Sequence, residues 1–439
     1  MALQGLSVAA CIWISIPAFA NNNAGFPTIP LHIVNNLGSS TNLYVLIFGV
    51  VNQDNNKAFP LGKTVYVTDT SGNVAITPAI PATAEQSLSI NVGMGATVDL
   101  MLPKLAAVRI YSSIGTGLLV HTGNIMGSGI VTPTSENPND PNFNTIYDFT
   151  ELTWVPQAVG GHPEITTNLG INVTEVDSFG MPQQFTIEGT DPATLKPNTA
   201  LSGGFLSTVQ RSTLLDNLKG FGDPWDGLIV GTGIAGLGPA RALAPNLGIM
   251  GGFFPANQLD QLTDQVFTTY MKSPPLTATV SAALNDKCLS VTYHFTGLTS
   301  GGELVFSDAN KGGAIFSLAK WSTLDAYAGS FPYGSVVPKD TCDRPDKIAS
   351  LAVEANLQAA LMRTTVLVHP DLTNTTAACP SSSTFYKNAP VNMYATLWHE
   401  NGIDGKAYAF GFDDVCSQSS FQLIFNPTRL TITLVGSSP

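Results

Sequence analysis

The sequence contains few charged residues, and basic residues are the scarcer kind. Only 11% of the 439 residues are Asp, Glu, Lys or Arg, and 19 basic residues against 31 acidic ones give a net charge of −12. Nucleic acids and anionic membranes select clustered Lys and Arg, so neither is expected as a partner. Binding of an uncharged polysaccharide is neither favoured nor opposed by this net negative charge. The apolar residues, 44% of the chain, are sufficient for a large core and for two domains.

The motifs of several enzyme classes are absent from the sequence. Neither G-x-S-x-G nor H-E-x-x-H occurs, which argues against a nucleophile-elbow hydrolase and against a zinc peptidase. No C-x-x-C pair or suitable His spacing favours a structural zinc ion. His399 is interpreted as a packed or surface imidazole, and His162 carries little information. We therefore expect no metal and no cofactor.

The first twenty residues have the features of a secretory signal. An apolar stretch runs from Leu6 to Phe19, and Ala18-Phe19-Ala20 has the small-x-small pattern of a cleavage site. No Lys or Arg precedes the stretch, and a mis-assigned start codon is the alternative explanation. The run is too short for a membrane span. We expect residues 1–20 to be removed and the mature protein to be secreted, either extracellular or periplasmic, without a membrane anchor.

The cysteines agree with export. Cys11 lies in the expected signal, and the mature chain keeps Cys288, Cys342, Cys379 and Cys416. An even number of cysteines in an exported protein predicts two disulfides. Three pairings are possible, and the sequence does not distinguish them.

The hydrophobic pattern changes along the chain and predicts an α+β protein. Short β-rich runs separated by Gly, Pro and Asn occupy residues 29–187 and favour a β-sandwich or barrel at residues 27–190. A mixed α/β domain is expected at residues 191–439, although its last strand, 430–435, is compatible with either domain. The predicted strands are 31–34, 43–48, 64–68, 86–92, 97–102, 107–112 and 118–122. The predicted helices are 206–218, 259–271 and 346–362.

Two strand-like segments, residues 147–154 and 171–182, each offer a carboxylate. Alternation places Glu151 on one strand face with Tyr147, Phe149 and Thr153. In the second segment the same rule places Val173, Glu175 and Asp177 on one face. Cleavage of a glycosidic bond requires one protonated acid and a second carboxylate that activates water or acts as nucleophile. Two neighbouring acidic strands therefore indicate glycoside hydrolysis.

These segments resemble the active-site motifs of glycoside hydrolase family 64, the thaumatin-like, laminaripentaose-producing endo-β-1,3-glucanases. Similar blocks recur at residues 241–246, 394–400, 404–410 and 412–416, so the resemblance extends from about Pro30 to the end. It implies a thaumatin-like β-barrel or sandwich, a C-terminal α/β domain and a wide groove between them. It also implies a monomer that binds β-1,3-glucan and hydrolyses internal linkages.

The resemblance assigns roles to individual residues. Glu151 would be the general acid, with a pKa raised by partial burial, and Asp177 the general base of an inverting mechanism. That mechanism places the carboxyl groups roughly 6.5–9.5 Å apart. Glu175 is a rival base or a neighbour that raises the pKa of the acid. The remaining matched positions that would line the groove and contact sugar are Thr153, Thr174, Asp413 and Asp414.

Two departures from the family pattern affect sugar binding. Residues 155–168 form an apparent insertion between the acidic segments. Gly170 stands where the family carries a sugar-stacking Trp, and Trp154 or a residue of the insertion is the expected substitute. The alternative function is therefore a glucan-binding module that no longer cuts, and a structural wall protein is a further alternative.

A G-x-G-x-x-G pattern at Gly231–Gly236 follows an apolar run. A dinucleotide site needs a helix directly after this pattern, but Pro239 would interrupt that helix. The next acidic residue, Asp260, is not at the ribose-binding distance. The segment is interpreted as a Gly-rich turn.

Overall fold

The computed structural model describes residues 26–37, 42–52, 59–94, 97–123, 129–272, 274–282, 290–341, 344–375 and 377–436. The expected signal, residues 1–20, lies outside these ranges, as do Cys288 and Cys342. None of the described helices is long and apolar enough to cross a membrane.

The chain is rich in strands. In chain order the strands are β1 (Thr28–Asn35), β2 (Leu43–Val50), β3 (Thr64–Val67), β4 (Val74–Ile76), β5 (Gln86–Ser87), β6 (Ile90–Gly93), β7 (Thr97–Pro103), β8 (Ala106–Ile114), β9 (Leu119–Gly123), β10 (Gly129–Val131), β11 (Ile146–Pro156), β12 (Thr167–Val173), β13 (Ser178–Phe179), β14 (Gln183–Thr190), β15 (Thr199–Gly204), β16 (Ile229–Val230), β17 (Arg241–Leu243), β18 (Leu276–Ala282), β19 (Val291–Ser300), β20 (Glu303–Asp308), β21 (Gly313–Leu318), β22 (Asp340–Thr341), β23 (Arg344–Pro345) and β24 (Gln422–Leu434).

Helices are few. The α-helices are α1 (Arg211–Gly220), α2 (Pro245–Met250), α3 (Asp260–Thr269), α4 (Thr323–Ala328), α5 (Asp346–Met362) and α6 (Met393–Asn401). The short 3-10 helices are Trp225–Leu228, Ala309–Lys311, Ser382–Thr384, Ile403–Gly405 and Val415–Ser417.

Internal contacts divide the chain into two compact units. Among the described residues, the sheet unit contains 26–247 together with Leu397–Tyr408 and 420–436, and the second unit contains Gly248–Thr396 and Ala409–Ser419. Residues 191–247 thus belong with the sheet, since β15 pairs with β14.

A twelve-stranded sheet dominates the sheet unit. Its main path runs β15-β14-β24-β12-β11-β8-β2-β3-β4, and β1 joins β24 in parallel and β7 in antiparallel fashion. These pairings give a nearly closed, barrel-like sheet within a sheet-rich fold. The strand β24 therefore pairs within this sheet, with β1, β12 and β14. As a result, β11 and β12 lie at the middle of the sheet, and the residues that follow β12 leave it.

Alternating side chains explain why β11 takes its central place. Its residues are all buried from Ile146 to Thr150, then alternate between half-buried and buried as far as Val155, and the last residue, Pro156, is exposed. On the face that carries Glu151, Tyr147 and Phe149 join a buried cluster with Tyr111 and Phe48. The ring centroids of Tyr111 and Phe149 are 4.9 Å apart. Burial of aromatic side chains provides the main stabilisation of this part of the sheet.

The second unit contains the sheet β18-β19-β20-β21, against which α5 packs. Stacked aromatic pairs fill its core, among them Phe306 and Phe316, with ring centroids 4.7 Å apart. A disulfide joins Cys379 to Cys416, which is compatible with one of the three pairings that the sequence allows.

Most of the expected strands are confirmed, with one important correction. The seven runs predicted between residues 31 and 122 coincide with strands or, at 86–92, with the two short strands β5 and β6. The helix predicted at 346–362 is present with the same bounds, and α3 occupies most of 259–271. The second acidic segment was wrongly predicted to be one strand, because β12 ends at Val173 and the chain then leaves the sheet.

Candidate active site

Glu151 lies at the centre of the large sheet and is paired on both sides. On β8 its partner is Arg109, and on β12 its partner is Asn172. The Arg109 Nε atom donates a hydrogen bond of 3.0 Å to Glu151 Oε1. A quarter of the Glu151 side chain, 25%, remains exposed, so solvent or a ligand reaches the carboxyl group. The prediction that Glu151 shares a face with Phe149 and Thr153 agrees with this register.

The surroundings of Glu151 favour its protonated form. Burial raises its pKa, the positive charge of Arg109 opposes this rise, and the nearby negative charge of Asp177 adds to it. A carboxyl group with a raised pKa keeps its proton at a pH where an ordinary glutamate has lost it. This is the property that a general acid needs.

Arg109 is held by three neighbours on the same face. Besides its bond to Glu151, one terminal nitrogen lies 3.4 Å from the Tyr111 hydroxyl, and the guanidinium carbon lies 4.9 Å from the Phe149 ring centroid. Burial lowers the pKa of Arg109, but the charges of Tyr111, Glu151 and Asp177 outweigh that effect and the net shift is upward. The guanidinium group therefore stays charged and acts on both carboxylates.

Asp177 reaches this site from a loop. After β12 the chain turns, and the Asp177 carbonyl accepts a hydrogen bond of 3.0 Å from the Ala244 amide. The next two residues form β13, in which Ser178 pairs with Leu243 of β17. The Asp177 side chain is half-buried, and burial raises its pKa while Arg109 opposes the rise. Asp177 is thus close enough to raise the pKa of Glu151, and the charge of Arg109 acts on both carboxyl groups.

Glu175 has a different environment. Its backbone amide donates to the Tyr408 carbonyl at 2.9 Å, and its Oε2 atom lies 3.4 Å from the Tyr408 amide nitrogen. Its side chain is only 3% exposed. The prediction that Glu175 and Asp177 share a strand face is therefore wrong, because the backbone in this segment bonds to another part of the chain instead of continuing β12.

A buried carboxylate supports the turn that follows Asp177. Asp148, on the opposite face of β11, accepts hydrogen bonds from the amides of Gly180 and Met181 at 2.8 and 3.0 Å. Burial raises its pKa to about 7 despite these bonds. A Cβ atom at Gly180 would lie 1.8 Å from the Tyr147 carbonyl oxygen, so glycine is required where this turn passes close to the backbone of β11.

The other predicted sugar-contacting residues of the sheet unit differ in accessibility. Thr153 is half-buried on the Glu151 face, and its hydroxyl accepts a hydrogen bond of 3.1 Å from the Ala107 amide. Thr174 is 1% exposed and Trp154 is 4% exposed. Trp154 lies on the face opposite to Glu151 and is part of the core. In this structure it offers no ring face to a sugar.

Asp413 and Asp414 belong to the second unit. Asp413 is fully buried, and its Oδ1 atom accepts a hydrogen bond of 2.9 Å from Arg363 while Oδ2 accepts one from the Ala409 amide. This arrangement gives Asp413 a structural position. Asp414 is exposed.

The Gly-rich segment forms turns, as expected. After β16 it bends through Gly231 to Gly238 and enters β17 without a helix. Its carbonyl groups bind a cation from the protein itself, because Arg211 donates to the carbonyl oxygens of Leu237, Pro239 and Ala240. His399 is buried, with Nδ1 2.8 Å from the Gly405 carbonyl oxygen, which agrees with the first of the two alternatives expected from the sequence, a packed or a surface imidazole.

Arg109 and Glu136 were not identified from the sequence. A single Arg within the otherwise apolar or hydroxyl-bearing strand β8 was an available signal for Arg109. Glu136 is half-buried in the loop before β11; burial raises its pKa, and the charge of Asp177 adds to the rise. No such signal marks Glu136. In the part of the chain that the structure describes, no group of three or more His, Cys, Asp or Glu side chains is arranged to hold a metal ion.

Two half-buried carboxyl groups with raised pKa values, both acted on by the charge of one arginine, form a site of the type that acid–base hydrolases of sugars use. Comparison with known proteins specifies the class. The family model of glycoside hydrolase family 64, described as beta-1,3-glucanase, matches residues 27–434. The chain therefore belongs to this family, and the resemblance noted in the sequence is confirmed.

Individual relatives agree. A glucan endo-1,3-beta-glucosidase from Cellulosimicrobium cellulans is 29% identical over 338 residues, and one from Arthrobacter sp. (strain YCWD3) is 29% identical over 343 residues. Each alignment covers 77% of this chain and 54% of the relative, so the chain spans about half the length of the curated relatives it matches.

Solved structures have the same fold. A laminaripentaose-producing beta-1,3-glucanase in complex with laminaritetraose aligns with a TM-score of 0.72 and 26% identity, covering 93% of this chain and 99% of that one. A beta-1,3-glucanase domain from Clostridium beijerinckii aligns with a TM-score of 0.67 and 23% identity, covering 93% and 98%. The second likeness concerns the fold alone.

Proposed function

We propose that this protein hydrolyses internal linkages of β-1,3-glucan, with Glu151 as general acid and Asp177 as general base. The observation that carries the proposal is the grouping of these two carboxyl groups around Arg109, each with a raised pKa. Membership of a family of beta-1,3-glucanases supports the substrate class. Reaction and substrate are both proposals for this chain.

The proposed chemistry is a single displacement with inversion. Glu151 gives its proton to the glycosidic oxygen as the bond from that oxygen to the anomeric carbon breaks. Asp177 takes a proton from a water molecule whose oxygen bonds to the same carbon from the opposite side. Glu151 ends ionised and Asp177 protonated, and exchange with solvent restores both. No cofactor enters the reaction.

Several finer features stay predictions. They are the thaumatin-like character of the sheet, a sugar-binding groove between two domains, export of the protein and a monomeric state. Of the predicted sugar contacts, Thr153 has the most favourable position, because it is half-buried on the Glu151 face. The burial of Thr174, Trp154 and Asp413 opposes a direct contact between their side chains and sugar.

One observation favours a second candidate, a protein that binds glucan without cutting it. The 3.0 Å bond from Arg109 stabilises the ionised form of Glu151, and an ionised glutamate cannot donate a proton. The net rise of the Glu151 pKa argues for the enzyme, because burial outweighs the arginine. The two candidates therefore differ in whether glucan is cleaved.

The test is reducing-sugar release from a linear β-1,3-glucan by the wild type, Glu151→Gln and Asp177→Asn. A matched control is Glu188→Gln, because Glu188 also pairs with an arginine, Arg429, elsewhere in the same sheet. We expect both site variants to lose activity and the control to keep it. Retention of all proteins on insoluble glucan without any release would establish the binding protein instead. For an active wild type, NMR of the first product tests inversion, which predicts the α-anomer.

A further inference from the structure

Phe421 is unusual among the aromatic residues because its side chain is exposed. Its exposed fraction is 50%, whereas the other aromatic residues in the described part of the chain are buried or half-buried. A single exposed apolar residue is common and has no meaning by itself. The Phe421 ring differs from such a residue because its backbone is anchored to β12 and the ring lies on the sheet face that carries Glu151.

The backbone on both sides of Phe421 is fixed to β12. On one side, the buried Ser420 hydroxyl donates a hydrogen bond of 2.7 Å to the Val173 carbonyl, where β12 ends. On the other side, Gln422 and Leu423 pair with Ile171 and Gly170. Phe421 is therefore held at the end of a strand ladder and does not belong to a free loop.

The ring lies over Gly170. A Cβ atom at residue 170 would be 2.8 Å from both Cε2 and Cζ of Phe421, so the tip of the ring fills the space that a side chain would need. Gly170 pairs with Thr153, and Asn172, two residues along β12, pairs with Glu151. Because paired residues share a face, the ring lies on the Glu151 face. Neighbouring strands are about 5 Å apart, so the tip of the ring is roughly one strand spacing from Thr153.

We propose that the Phe421 ring is a stacking platform for a glucosyl unit of the chain bound at Glu151. The proposal rests on the proposed function and specifies how its substrate is held. A pyranose ring presents a face of C–H groups, which packs favourably on an aromatic ring that is already fixed in place. Phe421 has an exposed ring, an anchored backbone and a position beside the proposed acid.

Neither of the two substitutes expected from the sequence, Trp154 and the insertion at residues 155–168, offers such a ring. Trp154 is buried on the other face of the sheet. The insertion continues the β11–β12 hairpin, with Val155 paired to Asn168, and contains no Phe, Tyr or Trp. The exposed aromatic ring on the Glu151 face near Thr153 comes instead from Phe421, the residue directly before β24.

The experiment measures laminaritetraose binding by calorimetry in the uncleaving Glu151→Gln background. Phe421→Ala should weaken binding roughly tenfold, the equivalent of about 1.4 kcal/mol, and Phe421→Trp should retain it. Ile76→Ala on β4 removes an apolar side chain of similar exposure, 44%, and should have no effect. In the double variant Gly170→Trp/Phe421→Ala, the new indole occupies the vacated space and should restore part of the affinity. Thermal unfolding confirms that each variant is folded.

The outcomes separate this inference from the proposed function. Cleavage by the wild type together with unchanged affinity after Phe421→Ala overturns the platform alone. No cleavage by the wild type and no binding in the Glu151→Gln background overturns both. In the active enzyme, Phe421→Ala should raise KM more than it lowers kcat, since the contact is made in the ground state as well as in the transition state.

Discussion

Replacement of Arg109 by leucine should move the pH–activity profile to higher pH. In an acid–base mechanism the alkaline limb reports the proton loss of the acid and the acidic limb that of the base. Arg109 opposes the rise in pKa of both Glu151 and Asp177, so its removal raises both values. The alkaline limb should move further, because Arg109 bonds directly to Glu151 at 3.0 Å.

The size of this shift follows from the geometry of the pair. Unit charges about 4 Å apart interact by about 4 kcal/mol at an effective dielectric constant of about 20. The Arg109 and Glu151 side chains are 32% and 25% exposed, so water reduces the interaction toward the ~1 kcal/mol of accessible ion pairs. Since 1.36 kcal/mol corresponds to one pH unit, we expect the alkaline limb to move by roughly one unit.

The assay is kcat/KM for β-1,3-glucan across the pH range in wild type, Arg109→Leu and Arg109→Lys. Lysine keeps the positive charge and should preserve the position of the profile, while losing part of the activity through altered hydrogen bonds. An unmoved profile in the leucine variant, or a shift to lower pH, would refute the assignment of Glu151 as the acid.

Three further predictions concern stability and the rival base. Asp177→Asn should raise the free energy of unfolding at neutral pH. The pKa of Asp177 is higher in the folded than in the unfolded protein, so the folded state is destabilised as the pH rises from the unfolded pKa through the folded one. Denaturant unfolding should therefore show no gain from the substitution below about pH 3.9, and a gain that does not depend on pH would contradict this prediction. Glu175→Gln should lower thermal stability but leave kcat within about threefold, since its carboxylate lies at the Tyr408 amide; a collapse of kcat would make Glu175 the base. Cys379→Ser should cost about 4 kcal/mol in urea unfolding, from a bond that spans 37 positions, and an unchanged midpoint would contradict this.

Local patterns were sufficient to predict much of the sheet. Strand β11 follows the rule of alternation through Phe149, Glu151 and Thr153, so both the strand and the face of Glu151 were predictable. The helix at Asp346–Met362 was predictable from its alanines and leucines and from its lack of Gly and Pro.

Other parts of the site depend on contacts between residues distant in sequence. The alternation of β12 continues through Thr174 to Asp177, yet the chain leaves the sheet because Glu175 bonds to Tyr408, 233 positions away. The place of Phe421 over Gly170 likewise follows from the pairing of β12 with β24. No local pattern reports which distant strand will pair, so these features required the structure.

The roles of Glu151 as acid and Asp177 as base are best separated by measuring the cleavage of two substrates by Glu151→Gln and Asp177→Asn. One substrate is linear β-1,3-glucan. The other is a dinitrophenyl β-glycoside of a β-1,3-linked glucose oligosaccharide, whose dinitrophenolate leaving group needs no proton. Loss of either group should lower glucan hydrolysis by about 10²–10⁴-fold. We expect Glu151→Gln to regain activity on the aryl substrate, because no proton has to be donated, and Asp177→Asn to stay inactive on it. Equal loss in both variants on both substrates, or full glucan hydrolysis by Glu151→Gln, would contradict these roles.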